Sequence, residues 1–173
     1  MVLTLLAANA ALLVQNKNLR ARQATNRSIA LSEGALVPSL SGVDVDGKEF
    51  TLDFGTDARK ALILVFSPRC GYCTKNMPNW SAIAEGLDRR SFRIVAVSII
   101  SEGVREYVGQ HGLNDIPVVS EVDPKTRVSY EMNVTPQTIL VDSHGRVEKI
   151  WTGVLLQDEL TEVSRFLNLK LAT

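Results

Sequence analysis

Lys60 to Ser67, KALILVFS, carries six apolar residues in a row, and the next residues are PRCGYC. An unbroken apolar run of this length reads as a strand buried on both faces, inside a sheet covered above and below. From Cys73 to Arg90 the spacing turns helical, with Met77, Trp80, Ile83, Ala84 and Leu87 on one face. A buried strand therefore runs straight into a helix, and both cysteines of the chain, Cys70 and Cys73, lie in the joint.

The remaining segments continue the pattern. SLSGVDVDGKEFTLDF alternates about Asp46-Gly47, a hairpin signal. FRIVAVSII is a second buried strand, and SEGVREYVGQHG a helix opened by Ser101 and closed by Gly112. IPVVSEV is a third strand, followed by a short helix in DPKTRVSYEM with Asp123 as cap and Pro124 at its first position. QTILVDSHGRVEKIWTG reads as a hairpin turning at Ser143 to Gly145. LLQDELTEVSRFLNL is an amphipathic helix with Leu156, Leu160, Val163 and Leu167 on one face. Strands that alternate with helices and finish in a hairpin and a helix make an α/β sheet of mixed direction, covered on both faces.

Three parts are expected along the 173 residues: 1–15, 16–33 and 34–173. MVLTLLAANAALLVQ has no charged side chain but is shorter than the roughly twenty residues that span a bilayer as a helix. Three readings compete: a signal-anchor with a shortened start, a signal peptide cut at Ala8 to Ala10, or an amphipathic helix packed on the domain. The missing basic region at its start weakens the second. A membrane anchor is the expectation. Residues 16–33 form a basic linker or helical extension with Lys17, Arg20, Arg22 and Arg27. Those charges would hold their side of an anchor in the cytoplasm if the positive-inside rule acted alone, so orientation stays open. Nineteen basic and nineteen acidic residues cancel, so no global field draws in nucleic acid.

Two cysteines cannot build a disulfide framework and fill only half of a structural zinc site. A bridge between residues this close would constrain little of the unfolded chain. Chemistry explains the pair better. With Cys70 at the first turn of a helix, unpaired backbone N–H groups and the positive end of the helix dipole face its sulfur and favour thiolate. Arg69, Gly71 and Tyr72 are expected at the substrate-binding surface: Arg69 either adds positive potential or is a solvated side chain at a loop tip, Gly71 permits a tight turn, and Tyr72 flanks the sulfur at a substrate groove. Cys73, one turn on and deeper, is placed to resolve a mixed disulfide formed on Cys70. Trp80, Trp151, His111 and His144 read as structural or solvent-facing, and Glu85 with Asp88 as outer-face decoration.

ILVFSPRCGYCTKNMP and VTPQTILVDSHGRV, with the spacing between them, resemble the thioredoxin superfamily, in its membrane-tethered, extracytoplasmic TlpA/ResA-like (redoxin-type) branch. The likeness covers about Gly34 to Leu169. It implies a three-layer sandwich with a mixed central sheet, helices on both faces and an N-terminal hairpin extension. It also implies protein thiol or disulfide substrates, a redox partner that recycles the pair, and no metal or organic cofactor at a monomeric domain. Pro78 falls where the family's active-site helix carries a proline. Thr135-Pro136 matches the family's cis-proline, which lies against the disulfide and offers backbone hydrogen bonds to a substrate chain. Where the family places a buried acid, this chain has Leu64 and Asn76, so neither usual proton acceptor is present. Absence of proline between the cysteines implies a pair more oxidising than thioredoxin's, at roughly −270 mV.

Two other functions share parts of this pattern. Peroxiredoxins have a similar fold, but their threonine and proline before the cysteine are replaced by Ser67 and Ile63. Sco-like copper chaperones use three residues between the cysteines and a distal histidine, whereas this chain has two residues and expects His144 to be remote.

Overall fold

The computed structural model describes residues 31–169, together with Gln15 and Lys17. Apart from those two positions, the expected anchor over 1–15 and the basic stretch after it lie outside the described residues. Among the described residues no helix is long and apolar enough to cross a membrane.

The described strands are β1 (Leu40–Asp44), β2 (Glu49–Leu52), β3 (Lys60–Phe66), β4 (Phe92–Ser98), β5 (Val118–Val122), β6 (Gln137–Val141) and β7 (Val147–Thr152). They form one sheet in the order β2-β1-β5-β4-β3-β6-β7. The described helices are α1 (Gly71–Gly86), α2 (Val104–Gln110), α3 (Pro124–Ser129) and α4 (Gln157–Leu167). Strand β3 runs parallel to β4 from Lys60↔Phe92 to Phe66↔Ser98 and antiparallel to β6 from Ala61↔Val141 to Val65↔Gln137. Strand β5 continues parallel from β4, while the β1–β2 and β6–β7 hairpins close the two ends.

Because side chains alternate along a strand, the apolar run in β3 must be covered twice. Leu62, Leu64 and Phe66 share one core with Met77, Trp80 and Ile83 of α1, Tyr107 of α2 and Val163 of α4. Ile63 and Val65 point the other way and are equally inaccessible to water. The buried indole of Trp80 donates to Thr138 Oγ1 at 2.9 Å, pinning α1 to β6. Asp123 caps α3 through the backbone N–H groups of Lys125 and Thr126, with Pro124 at the first turn as expected. Gly42 is required at the β1–β5 contact: a Cβ there would meet the carbonyl oxygen of Glu121 at 2.4 Å.

Three boundaries differ from the sequence reading. Helix α1 stops at Gly86, four residues before Arg90, because Asp88 builds a turn by accepting from the Arg90 N–H and the Ser91 hydroxyl. Helix α2 starts at Val104 behind Gly103, whose φ of +74° suits glycine. Ser101 therefore does not cap it. Leu156 is exposed at the N-cap of α4, not on its buried face, and its N–H is held by Glu159.

Candidate active site

The site forms where β3 ends and α1 begins. The chain turns through Ser67 to Arg69, with the Cys70 N–H donating to the Ser67 carbonyl at 3.0 Å. Cys70 is the N-cap of α1 with extended backbone angles. Its sulfur accepts the Cys73 N–H at 3.2 Å, satisfying one of the donors that a helix start leaves unpaired. Across the gap the Cys70 thiol donates to the Thr135 carbonyl at 3.5 Å. The peptide bond joining Thr135 to Pro136 is cis. Cys70 is half-buried, Cys73 is sealed off, and both are free thiols.

The two sulfurs ionise very differently. Burial works against ionisation of Cys70, but hydrogen bonds from the side chains of Cys73 and Thr135 and from the backbone N–H groups of Cys73 and Tyr72 outweigh it. Its pKa falls below the ordinary thiol value. Burial pushes the Cys73 thiol up to about 12, helped by its hydrogen bond to Cys70. One thiol is thus poised to attack and its neighbour keeps its proton.

The other expected site residues are distributed around this pair. Tyr72 stands 66% exposed beside Cys70, with the Lys75 ammonium 5.5 Å from its ring centroid. Gly71 does not provide a tight turn. It is the first residue of α1, has no positive φ, and a Cβ there would meet open space. Arg69 does not direct its charge at the sulfur either. Its guanidinium pairs with Glu102, and both side chains are largely exposed. Pro78 lies inside α1 on the solvent side, where its missing N–H costs a helix bond that water can replace. His144 sits in the β6–β7 turn, at the opposite end of β6 from Pro136. His111 ends α2, stacked on Tyr107 at 4.2 Å. Ser67 turns its hydroxyl oxygen to the Arg69 N–H at 3.3 Å, and Ile63 is a core residue of β3.

Asn76 has a part that spacing alone did not reveal. One turn beyond Cys73 and fully buried, its Oδ1 accepts from the Leu155 N–H at 2.9 Å and from Asn79 Nδ2 at 3.2 Å. Asn79 also donates to the Leu155 carbonyl at 2.9 Å. The same loop donates from Gly153 N–H to the Pro136 carbonyl at 2.8 Å. A hydrogen-bonded ring thus runs from α1 through 153–155 and Pro136 back to Cys70. Its forewarnings were a polar residue on an otherwise apolar helix face and its place where the resembling family carries a buried acid.

A half-buried thiol capping a helix beyond a buried strand, with a second thiol behind it and a cis-proline opposite, defines a thioredoxin-like oxidoreductase. The family model described as Redoxin matches residues 32–168, and the chain belongs to that family. It is 26% identical over 137 residues to the thiol-disulfide oxidoreductase ResA of Geobacillus thermodenitrificans, covering 77% of this chain and 76% of that one. Among solved structures it is similar to a thiol:disulfide interchange protein of Chlorobium tepidum TLS. That match has TM-score 0.61 and 20% identity, over 80% of this chain and 99% of the other. It is also similar to a peroxiredoxin-like protein of Aquifex aeolicus, with TM-score 0.62 and 15% identity over 79% and 88%. The fold alone therefore does not decide between a thiol-disulfide exchanger and a peroxidase, and the site has to.

Proposed function

We propose that the protein exchanges disulfides with protein substrates through Cys70 and Cys73. In the reducing direction, the Cys70 thiolate attacks one sulfur of a substrate disulfide. The substrate S–S bond breaks, a mixed disulfide forms, and the departing sulfur takes a proton. Cys73 then loses its proton and attacks Cys70 Sγ, closing the Cys70–Cys73 bond and releasing the second substrate sulfur. Two electrons pass to the substrate, and the oxidising direction is the reverse. Bonding Cys70 to the substrate removes its negative charge and its hydrogen bond to Cys73, two of the influences that hold the Cys73 proton. Formation of the mixed disulfide therefore prepares the resolving thiol. The Thr135 carbonyl accepts from the attacking thiol, and Thr135 with Pro136 would receive the substrate backbone, with Tyr72 at the rim. The pair itself is the redox centre, recycled by a separate redox partner. The apolar residues 1–15 are read as the tether that holds the domain at a membrane, outside the cytoplasm.

The observation carrying this reading is the contrast between the half-buried, hydrogen-bonded Cys70 and the sealed Cys73. A Cys73→Ser variant should accumulate mixed disulfides with its clients, released by dithiothreitol, and a Cys70→Ser variant should not. Equal trapping by both variants would reverse the roles. Rapid consumption of hydrogen peroxide in the presence of reductant, lost in Cys70→Ser, would instead place the protein with the peroxidases.

A further inference from the structure

Strands β3, β4 and β5 are parallel, and ligands of open α/β sheets gather beyond the carboxyl ends of such strands. Cys70 follows the end of β3. Beyond the ends of β4 and β5, next to it, lies an open cleft of about 380 Å³. Its walls come from Ser98–Glu102 after β4 and Ser120–Val122 of β5, with Arg69 and Arg127 among its lining. The proposed exchange uses none of this cleft.

The two arginines differ in a useful way. Arg127 is half-buried and held in place by donating from Nη1 to the Ile99 carbonyl at 3.1 Å. Among the described residues it has no carboxylate within salt-bridge distance, although Glu121 lies on the same rim. Arg69 is occupied by Glu102 from the exposed loop before α2. Both partners of that pair are mostly in water, where screening leaves an ion pair weak. Glu102 can therefore be displaced by another carboxylate at little cost, and the second cation behind it favours the exchange.

We infer that this cleft is an acidic-residue subsite. A carboxylate side chain next to the attacked cysteine of a polypeptide substrate displaces Glu102, pairs with Arg69 and Arg127, and sets partner preference. The inference rests on Cys70 being the attacking thiol.

The test compares alkylation of the reduced protein at Cys70 by anionic iodoacetate and neutral iodoacetamide. Both react with the thiolate, so the ratio of their rates cancels any change in thiolate fraction. Glu102→Gln should raise the iodoacetate-to-iodoacetamide ratio by about two- to five-fold, the range of an exposed ion pair. Arg69→Gln should lower it by a similar factor, and 1 M NaCl should compress both changes. Capped peptide disulfides with Glu or Gln beside the attacked cysteine should show the same order in kcat/KM. Ratios that stay equal across wild type, Glu102→Gln and Arg69→Gln would overturn the subsite while leaving disulfide exchange standing. Failure of neutral iodoacetamide to modify Cys70 in preference to Cys73 would remove the attacking thiol, and the subsite with it.

Discussion

Cys70 and Cys73 are the same side chain, one helical turn apart, in opposite surroundings. The mouth around Cys70 is built from backbone groups and exposed side chains: the Cys73 N–H as donor, the Thr135 carbonyl as acceptor, Tyr72 and Arg69. Cys73 has no water access and belongs to the hydrophobic core with residues of β3, α1 and α2. Reactivity at the mouth comes from hydrogen bonds to the Cys70 sulfur, from the side chains of Cys73 and Thr135 and from backbone N–H groups that the start of α1 supplies. Restraint in the interior comes from exclusion of water, which depends on every neighbour. Changes to the two regions should therefore have different signatures.

The largest difference should appear with pH. Alkylation of the reduced protein should begin at Cys70 below the ordinary thiol value of about 8.5, while Cys73 stays unmodified until pH approaches 12. Stability carries the same contrast with opposite signs. The Cys70 pKa is lowered by folding, so ionisation adds stability as pH rises from that lowered value to about 8.5. The Cys73 pKa is raised, so above about 8.5 the unfolded thiol ionises while the folded one does not, and stability drains away towards pH 12. Urea unfolding of the reduced form at pH 8 and pH 10 should show a lower midpoint at pH 10. The oxidised form, lacking both thiols, should show a smaller change. Equal changes in the two forms would mean that the interior does not hold the Cys73 proton.

The next effect is purely structural. Trp80→Phe removes an indole with no water access and leaves the Thr138 hydroxyl without its donor. The loss should be about 2–3 kcal/mol, combining a partial core deletion with an orphaned buried oxygen. Iodoacetamide should still find Cys70 in the folded protein at an unchanged apparent pKa. A shift in that pKa would show that mouth and interior are coupled through α1.

Much of this division could be read from the sequence, and the part that could not has a physical cause. KALILVFS announced a doubly covered strand because burial on both faces leaves an unbroken apolar signature, and β3 is that strand. Asp123-Pro124 announced α3 because its cap is local chemistry. The two cysteines fell at the predicted strand–helix joint for the same reason. What was missed involves partners far apart in the chain. Glu102 pairs with Arg69 across 33 residues, and Asn76 holds Leu155 across 79. No periodicity records such contacts. Gly71 misled because glycine between two cysteines suggests a turn, although an ordinary first helical residue occupies that place.

Asn76 lies on the boundary of the two regions. Its Oδ1 serves the 153–155 loop, while its Nδ2 is buried without a partner among the described residues. Asn76→Ala would strand the Leu155 N–H, a loss of about 1–2 kcal/mol by the usual penalty for a buried unpaired donor, and would slacken the loop whose Gly153 holds Pro136. With Pro136 receiving the substrate backbone as proposed, KM for a protein disulfide should rise while the alkylation pKa of Cys70 stays fixed. A fall in kcat alone would place Asn76 in the chemistry of Cys73 instead.

Tyr72→Ala should give the smallest effect on the fold and isolates the mouth. The ring is 66% exposed, with the Lys75 ammonium 5.5 Å from its centroid, so unfolding stability should change by less than about 0.5 kcal/mol. The Tyr72 backbone N–H, which helps ionise Cys70, survives the substitution. The thiolate should therefore titrate as before, and only recognition of an apolar client segment should suffer, as a rise in KM. If the Cys70 pKa moved with the ring, the Tyr72 side chain would join those of Cys73 and Thr135 in setting the reactivity of the mouth.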